Sequence, residues 1–210
     1  MDIEISKAAG VATLAFNRID KKNAITSAMY QSLADGLRDA AQDIAIRAIV
    51  ITGQPGIFTA GNDVEDFLKN PPQGTDSPVA QFMEQLRVAE KPVIAAVTGM
   101  AIGIGTTLLL HCDLVYAGDN AAFSMPFVNL GLCPEAGSSL LAVQLMGYQR
   151  AAEALLMGEP FMVETALELG LISRVLPPAE VNAYAQSQAQ KMARKPLASL
   201  METKRLMKSA

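Results

Sequence analysis

The sequence predicts an α/β fold containing parallel strand pairs, and three observations predict it. Short runs of branched apolar residues, RAIVITG (47–53), PVIAAV (92–97) and DLVYAG (113–118), read as buried strands. Segments with apolar residues at helical spacing alternate with them, the order expected of an α/β core. Two strand ends run into turns rich in small residues, VITG…FTAGND and IAAVTGMAIGIG. Small residues there allow backbone to approach something closely.

Taken in order, IEIS and VATLAF read as strands joined through KAAG in a hairpin. NRIDKKNAI is a polar connector. Thr26 or Ser27 then caps a helix to about Asp43, with Met29, Leu33 and Leu37 on its apolar face. QPGIFTAGND reads as a turn-rich loop, and Asp63 as the cap of a short helix through Phe67. NPPQGTDSP (70–78) has loop composition, and a helix over 79–90 follows. TGMAIGIG breaks the strand at 92–97 and opens an apolar helix to about Cys112. AAFSM reads as a short strand. Beyond Ala136 the chain reads as mostly helical, interrupted at Gly147, Gly158, Gly170 and Pro177-Pro178, with LISRVL as a last strand. Two regions are expected: a core over 1–147 and a helical region over 148–210.

Bulk properties narrow the functional classes. Half of the 210 residues are hydrophobic, enough for a sizeable core. A net charge of −4 argues against a nucleic-acid partner. The acidic, alternating N-terminus is unlike a signal peptide. The apolar run Met100–Leu110 is too short and too glycine-rich to span a membrane. Cys112 and Cys133 form no metal spacing; they read as free thiols or a single pair. His111 is the only histidine, so multi-histidine metal centres are not expected. It suits packing or capping better than catalysis. GMAIGIG reads either as a close-packing helix start or as an anion site. It is not a P-loop, and no G-x-S-x-G marks a hydrolase nucleophile.

One acid stands apart. Within LGLCPEAGSS (130–139), Glu135 is the only charged side chain between Phe123 and Met146. It reads either as a helix-start residue, favoured there by the helix dipole, or as a base in an apolar cleft.

NRIDKKNAI, FTAGNDV, KPVIAAVTGMAIGIG, HCDLVYAGDNAAFSMPFVNLGLCPEAGSS and ALELGLISRVLP occur in an order that closely resembles the crotonase (enoyl-CoA hydratase/isomerase) family. AGNDV and LGLCPEAGSS look most like its peroxisomal-type Δ3,Δ2-enoyl-CoA isomerase branch. The resemblance implies a ββα spiral core followed by a helical trimerisation region. It also implies an acyl-CoA thioester substrate, no cofactor and no metal, and a homotrimer or dimer of trimers. Family members usually continue past the point where this chain stops, so a last helix or two, and any targeting signal there, are expected beyond residue 210. The expected location is cytoplasmic in a bacterium, or peroxisomal or mitochondrial elsewhere.

By position, the resemblance assigns an oxyanion hole to the backbone N–H groups of Asn62 and Ile104. Such donors suit the negative oxygen that forms when a proton leaves the carbon beside a thioester. Glu135 takes the place of the isomerase base. Ala60, Gly61, Asn62, Asp63 and Val64, with Lys22, Ala24 and Ile104, are the expected substrate-binding residues. Arg18, Lys21 and Lys22 are candidates to meet phosphates, and Phe67, Phe82 and Met83 to line an acyl pocket beneath the 68–79 loop. The two glutamates of family hydratases align with Thr107 and Phe127, which can neither hold nor activate a water by proton transfer. The implied reaction is isomerisation of a 3-enoyl-CoA. A hydratase-like reaction, or acyl-CoA binding without turnover, is the alternative.

Overall fold

The computed structural model describes residues 1–208. Its hairpin pairs β1 (Ile3–Ala8) with β2 (Val11–Phe16) antiparallel. Ala9 and Gly10 turn the hairpin, both at positive φ, as a two-residue turn matched to strand twist requires. α1 (Ser27–Gln42) follows, with the Thr26 side chain accepting from Met29 N–H at its start. The chain then makes three similar passes. In each, a strand of a large sheet leads to a strand of a smaller sheet and then to a helix.

The first pass is β3 (Ala48–Thr52), β4 (Ile57–Thr59) and α2 (Val64–Lys69), with α3 (Pro78–Arg87) after it. The second is β5 (Val93–Val97), β6 (Met100–Ile102) and α4 (Ile104–Thr107). The third is β7 (Leu114–Gly118), β8 (Ala122–Ser124) and α5 (Ser138–Met146). This is the ββα spiral. α6 (Tyr148–Ala152), β9 (Phe161–Met162), α7 (Val163–Glu168), β10 (Arg174–Leu176), α8 (Pro178–Ala193) and α9 (Leu197–Lys208) complete the chain.

The large sheet has the order β1-β2-β3-β5-β7-β10, parallel except for the first pair. The small sheet is β4-β6-β8-β9. The large sheet is covered on both faces, which is why β3 and β5 are buried along their whole length. Ala48, Val50, Ile94 and Ala96 pack under Val181, Ala185 and Ala189 of α8. Ile49, Ile51, Val93 and Ala95 face the main core with Leu33, Phe58, Ala101 and Phe123. Residues 148–208 are mostly helical, yet they return β9 and β10 to the two sheets and lay α8 on one of them. No helix among the described residues is long and apolar enough to cross a membrane.

Three sequence expectations need correction. QPGIFTAGND is not all loop, because it contains β4, a strand too short to show periodicity. The apolar helix expected to open in TGMAIGIG and run to about Cys112 is instead β6, one α-helical turn and a 3-10 turn, Leu108–His111. The next helix does not begin at Pro134-Glu135. Ala136 and Gly137 both adopt positive φ, which delays its start to Ser138.

Candidate active site

Parallel pairing of β4 with β6 brings the two small-residue junctions together. Ile57 is opposite Met100 and Thr59 opposite Ala101, so both strands release their chains at the same end. Gly61, at φ +86°, lets the loop after β4 lie against Ile102. A Cβ on Gly61 would stand 2.8 Å from the Ile102 carbonyl oxygen. Ile25 then fixes the direction of the next amide. Ile25 N–H donates to Gly61 O at 2.8 Å, and Asp63 N–H donates to Ile25 O at 2.9 Å. In a parallel bridge, the residue between those two groups turns its own N–H away, so the Asn62 amide faces away from Ile25. Ile104 is the first residue of α4, ahead of the first bonds in that turn, which run from Thr106 and Thr107 to Gly103 O. With only four residues in α4, a macrodipole adds little.

The polar connector is stitched to this loop. Ala60 N–H donates to Lys22 O, and Thr59 Oγ1 donates to Asn23 O at 2.6 Å. The fully buried Asn23 side chain takes Arg18 N–H and gives to Phe58 O. Arg18 is not a free cation for a phosphate. Its guanidinium bonds Asp63 at 2.7 Å and donates to Ala24 O. Asp63 also caps α2 by accepting from Asp66 N–H, which with Arg18 holds its carboxyl below the ordinary range. Lys21 and Lys22 remain exposed.

Glu135 sits in the turn before α5. Its Oε1 accepts from the Thr107 hydroxyl at 2.5 Å, while Oε2 is enclosed and has no hydrogen-bond partner among the described residues. Burial pushes its pKa up to about 7, against a smaller downward pull from Thr107. The buried Tyr30 hydroxyl donates to Asn62 Oδ1 at 2.5 Å. Burial first, and the nearby Glu135 charge second, hold that phenol well above its usual pKa, so it stays a neutral donor. Two hydrogen-bonded pairs, Tyr30–Asn62 and Thr107–Glu135, thus flank the residues that carry the two amides, and the Glu135 charge is felt at Tyr30. Neither Tyr30 nor the Thr107 hydroxyl was identified from sequence as a member of these pairs. The signal for Tyr30 was a lone phenol on the apolar face of α1, since a buried phenol needs a partner.

A cavity of about 320 Å³ opens over the amides and is walled by Val64, Phe67, Leu68, Phe127, Leu130 and Leu132. Ala60, Gly61, Asn62, Val64 and Ile104 line it; no acid does among the described residues. Asp63 instead lines a neighbouring cavity of about 330 Å³, shared with Asn62, Phe67 and the 70–79 loop. Neither Lys22, whose carbonyl accepts from Ala60 N–H, nor Ala24 lines either cavity. Phe82 is core rather than pocket, packed on the Tyr30 ring, and Met83 lines a groove beside His111. Cys112 and Cys133 are free thiols.

The model of the enoyl-CoA hydratase/isomerase family matches residues 6–210. The 2,3-dehydroadipyl-CoA hydratase of Escherichia coli is 34% identical over all of this chain and 82% of its own length. Enoyl-CoA delta isomerase 2 of Rattus norvegicus is 33% identical over 98% of this chain, which spans only 54% of that relative. The solved structure of OdaA from Pseudomonas aeruginosa is 48% identical and superposes with a TM-score of 0.96, covering 99% of this chain and 85% of that one.

Proposed function

The chain belongs to the enoyl-CoA hydratase/isomerase family, and we propose that within it the protein moves the double bond of a 3-enoyl-CoA to the 2-position. The carrying observation is one carboxyl, Glu135, held by Thr107 behind a cavity whose own lining among the described residues includes no acid, with its second oxygen left without a partner. By the family resemblance Thr107 and Phe127 align with the two hydratase glutamates, and neither residue is an acid. A carboxyl with a pKa of about 7 is half ionised at neutral pH, suited first to taking a proton and then to returning it.

In this reading Glu135 removes a proton from C2 of the thioester. The electron pair delocalises onto the carbonyl oxygen, where the N–H groups of Asn62 and Ile104 hold the charge. Fixed donors of this kind are each worth ~3 kcal/mol of barrier lowering. The Glu135 acid then delivers the same proton to C4. The double bond passes from C3–C4 to C2–C3, with no water consumed and no cofactor required. Tyr30 supports the hole by bonding the Asn62 side chain. Ala60, Gly61 and Val64 flank the entering acyl-CoA, with Lys22, Ala24 and Asp63 shaping the outer loop. A homotrimer is the proposed assembly, supported by exposed Leu140, Leu145, Tyr148 and Leu156 on the later helices.

Hydration is the second reading, favoured by the similarity to the E. coli hydratase over the whole chain. Measuring 3-enoyl-CoA isomerisation and 2-enoyl-CoA hydration on one chain length separates the two. Isomerisation should be much the faster, and Glu135→Gln should lower it roughly 10²–10⁴-fold. Efficient hydration with negligible isomerisation would refute the assignment.

A further inference from the structure

We propose that His111 is a positioning residue for Glu135, holding the Ala136 carbonyl and so fixing the turn from which the Glu135 carboxyl projects. The proposal rests on the reading of Glu135 as the base.

The turn needs an external hold. Ala136 adopts φ +52° and Gly137 φ +67°, so a residue carrying a Cβ sits in the left-handed region directly after Glu135. Beyond this turn lies an open groove of about 790 Å³ lined by Met83, Leu140 and Leu141, so packing does not back it on that side. Ala136 itself packs on the main core, and polar contacts add the directional hold. Ser138 bonds the Glu135 carbonyl through its hydroxyl at 2.6 Å and its N–H at 2.9 Å. His111 Nε2 lies 2.7 Å from the Ala136 oxygen.

The direction of that last bond follows from chemistry. A carbonyl oxygen only accepts, so Nε2 must carry the proton. Burial, with lesser effects from Lys208 and Arg87, pushes the imidazole below its ordinary pKa despite the Ala136 bond, so the ring is neutral at pH 7. A neutral ring has one N–H, and it is spent on Ala136.

His111 belongs to the same short segment as the rest of the proposed machinery. Ile104, Thr107 and His111 are spaced three and four apart along continuous helical turns. Ile104 offers an amide to the hole, Thr107 holds the Glu135 carboxyl, and His111 holds the backbone behind it. One rigid segment thereby sets the distance between the base and the hole. That distance governs proton transfer from C2, where a misplacement near 1 Å can cost roughly 10²-fold.

The test compares His111→Phe, which keeps a ring without the donor, with His111→Gln, whose side-chain N–H can reach the same carbonyl. His111→Phe should lower kcat for 3-enoyl-CoA isomerisation by roughly 10- to 100-fold with KM little changed. His111→Gln should restore most of it. In a Glu135→Gln background, His111→Phe should cause no further loss. If the Phe variant fails to fold, His111→Asn, too short to reach, should show the same fall in kcat. Wild-type kcat in the folded His111→Phe or His111→Asn variant, or no rescue by Gln, would overturn the proposal while leaving Glu135 as base. Wild-type turnover in Glu135→Gln would overturn the base reading itself, and this proposal with it.

Discussion

Glu135→Gln should raise the stability of the folded protein more at pH 8 than at pH 5. The Glu135 carboxyl moves from its ordinary value of 4.5 in the unfolded chain to about 7 in the fold, because burial disfavours its charge. The sign follows from proton counting. Between those two values the folded state holds a proton that the unfolded chain has released, so wild-type stability falls as pH rises. The loss begins near the lower value and is complete above the higher one. The full difference corresponds to roughly 3 kcal/mol. Most of it, roughly 2–3 kcal/mol, falls in the accessible window from pH 5 to pH 8. Glutamine does not titrate, so the variant lacks this slope. Urea titrations of both proteins at the two pH values measure it. The stability gap between variant and wild type should widen by roughly 2–3 kcal/mol, or roughly 5–10 °C in Tm for a chain of this size. A gap that stays constant between pH 5 and pH 8 would refute the claim that an enclosed, reluctantly charged carboxyl occupies this turn.

Other perturbations probe neighbouring links. Thr107→Val removes the bond that lowers the Glu135 pKa, so the rising limb of the kcat/KM–pH profile should move above its wild-type position near 7; an unmoved limb would break the link between that hydroxyl and the base. Gly61→Ala forces a Cβ at φ +86° to within 2.8 Å of Ile102 O, so acyl-CoA affinity by calorimetry should collapse as the two amides are pushed apart. Lys204→Ala leaves the largely buried Asp113 carboxylate without its 2.6 Å partner. Chemical denaturation should show a loss of roughly 3 kcal/mol or more, with α9 releasing first.

Much of the fold was legible because its determinants are local. β3, β5 and β7 carry unbroken apolar runs, since strands covered on both faces need no alternation. Thr26 and Asp63 announce their helices through side-chain caps that reach only three residues. The small sheet was only partly visible: β8 was expected and β4, β6 and β9 were not, all four being two or three residues long and too short to show a period. Their pairing follows from the packing of the spiral turns.

At the candidate site the division is similar. The sequence by itself determined that Glu135 is a lone acid in an apolar stretch, that two small-residue turns follow two strands, and that residues 107 and 127 carry no carboxyl. These are properties of composition and order, fixed before the chain folds. Only the tertiary structure decided that Arg18 is committed to Asp63, that Tyr30 from α1 reaches Asn62, and that Thr107 and His111 grip the turn around Glu135 from residues 28 and 25 positions apart along the chain. It also decided the state of Glu135 itself. A carboxyl's pKa is set by the water it loses and the donors it meets, and both depend on which distant segments close over it.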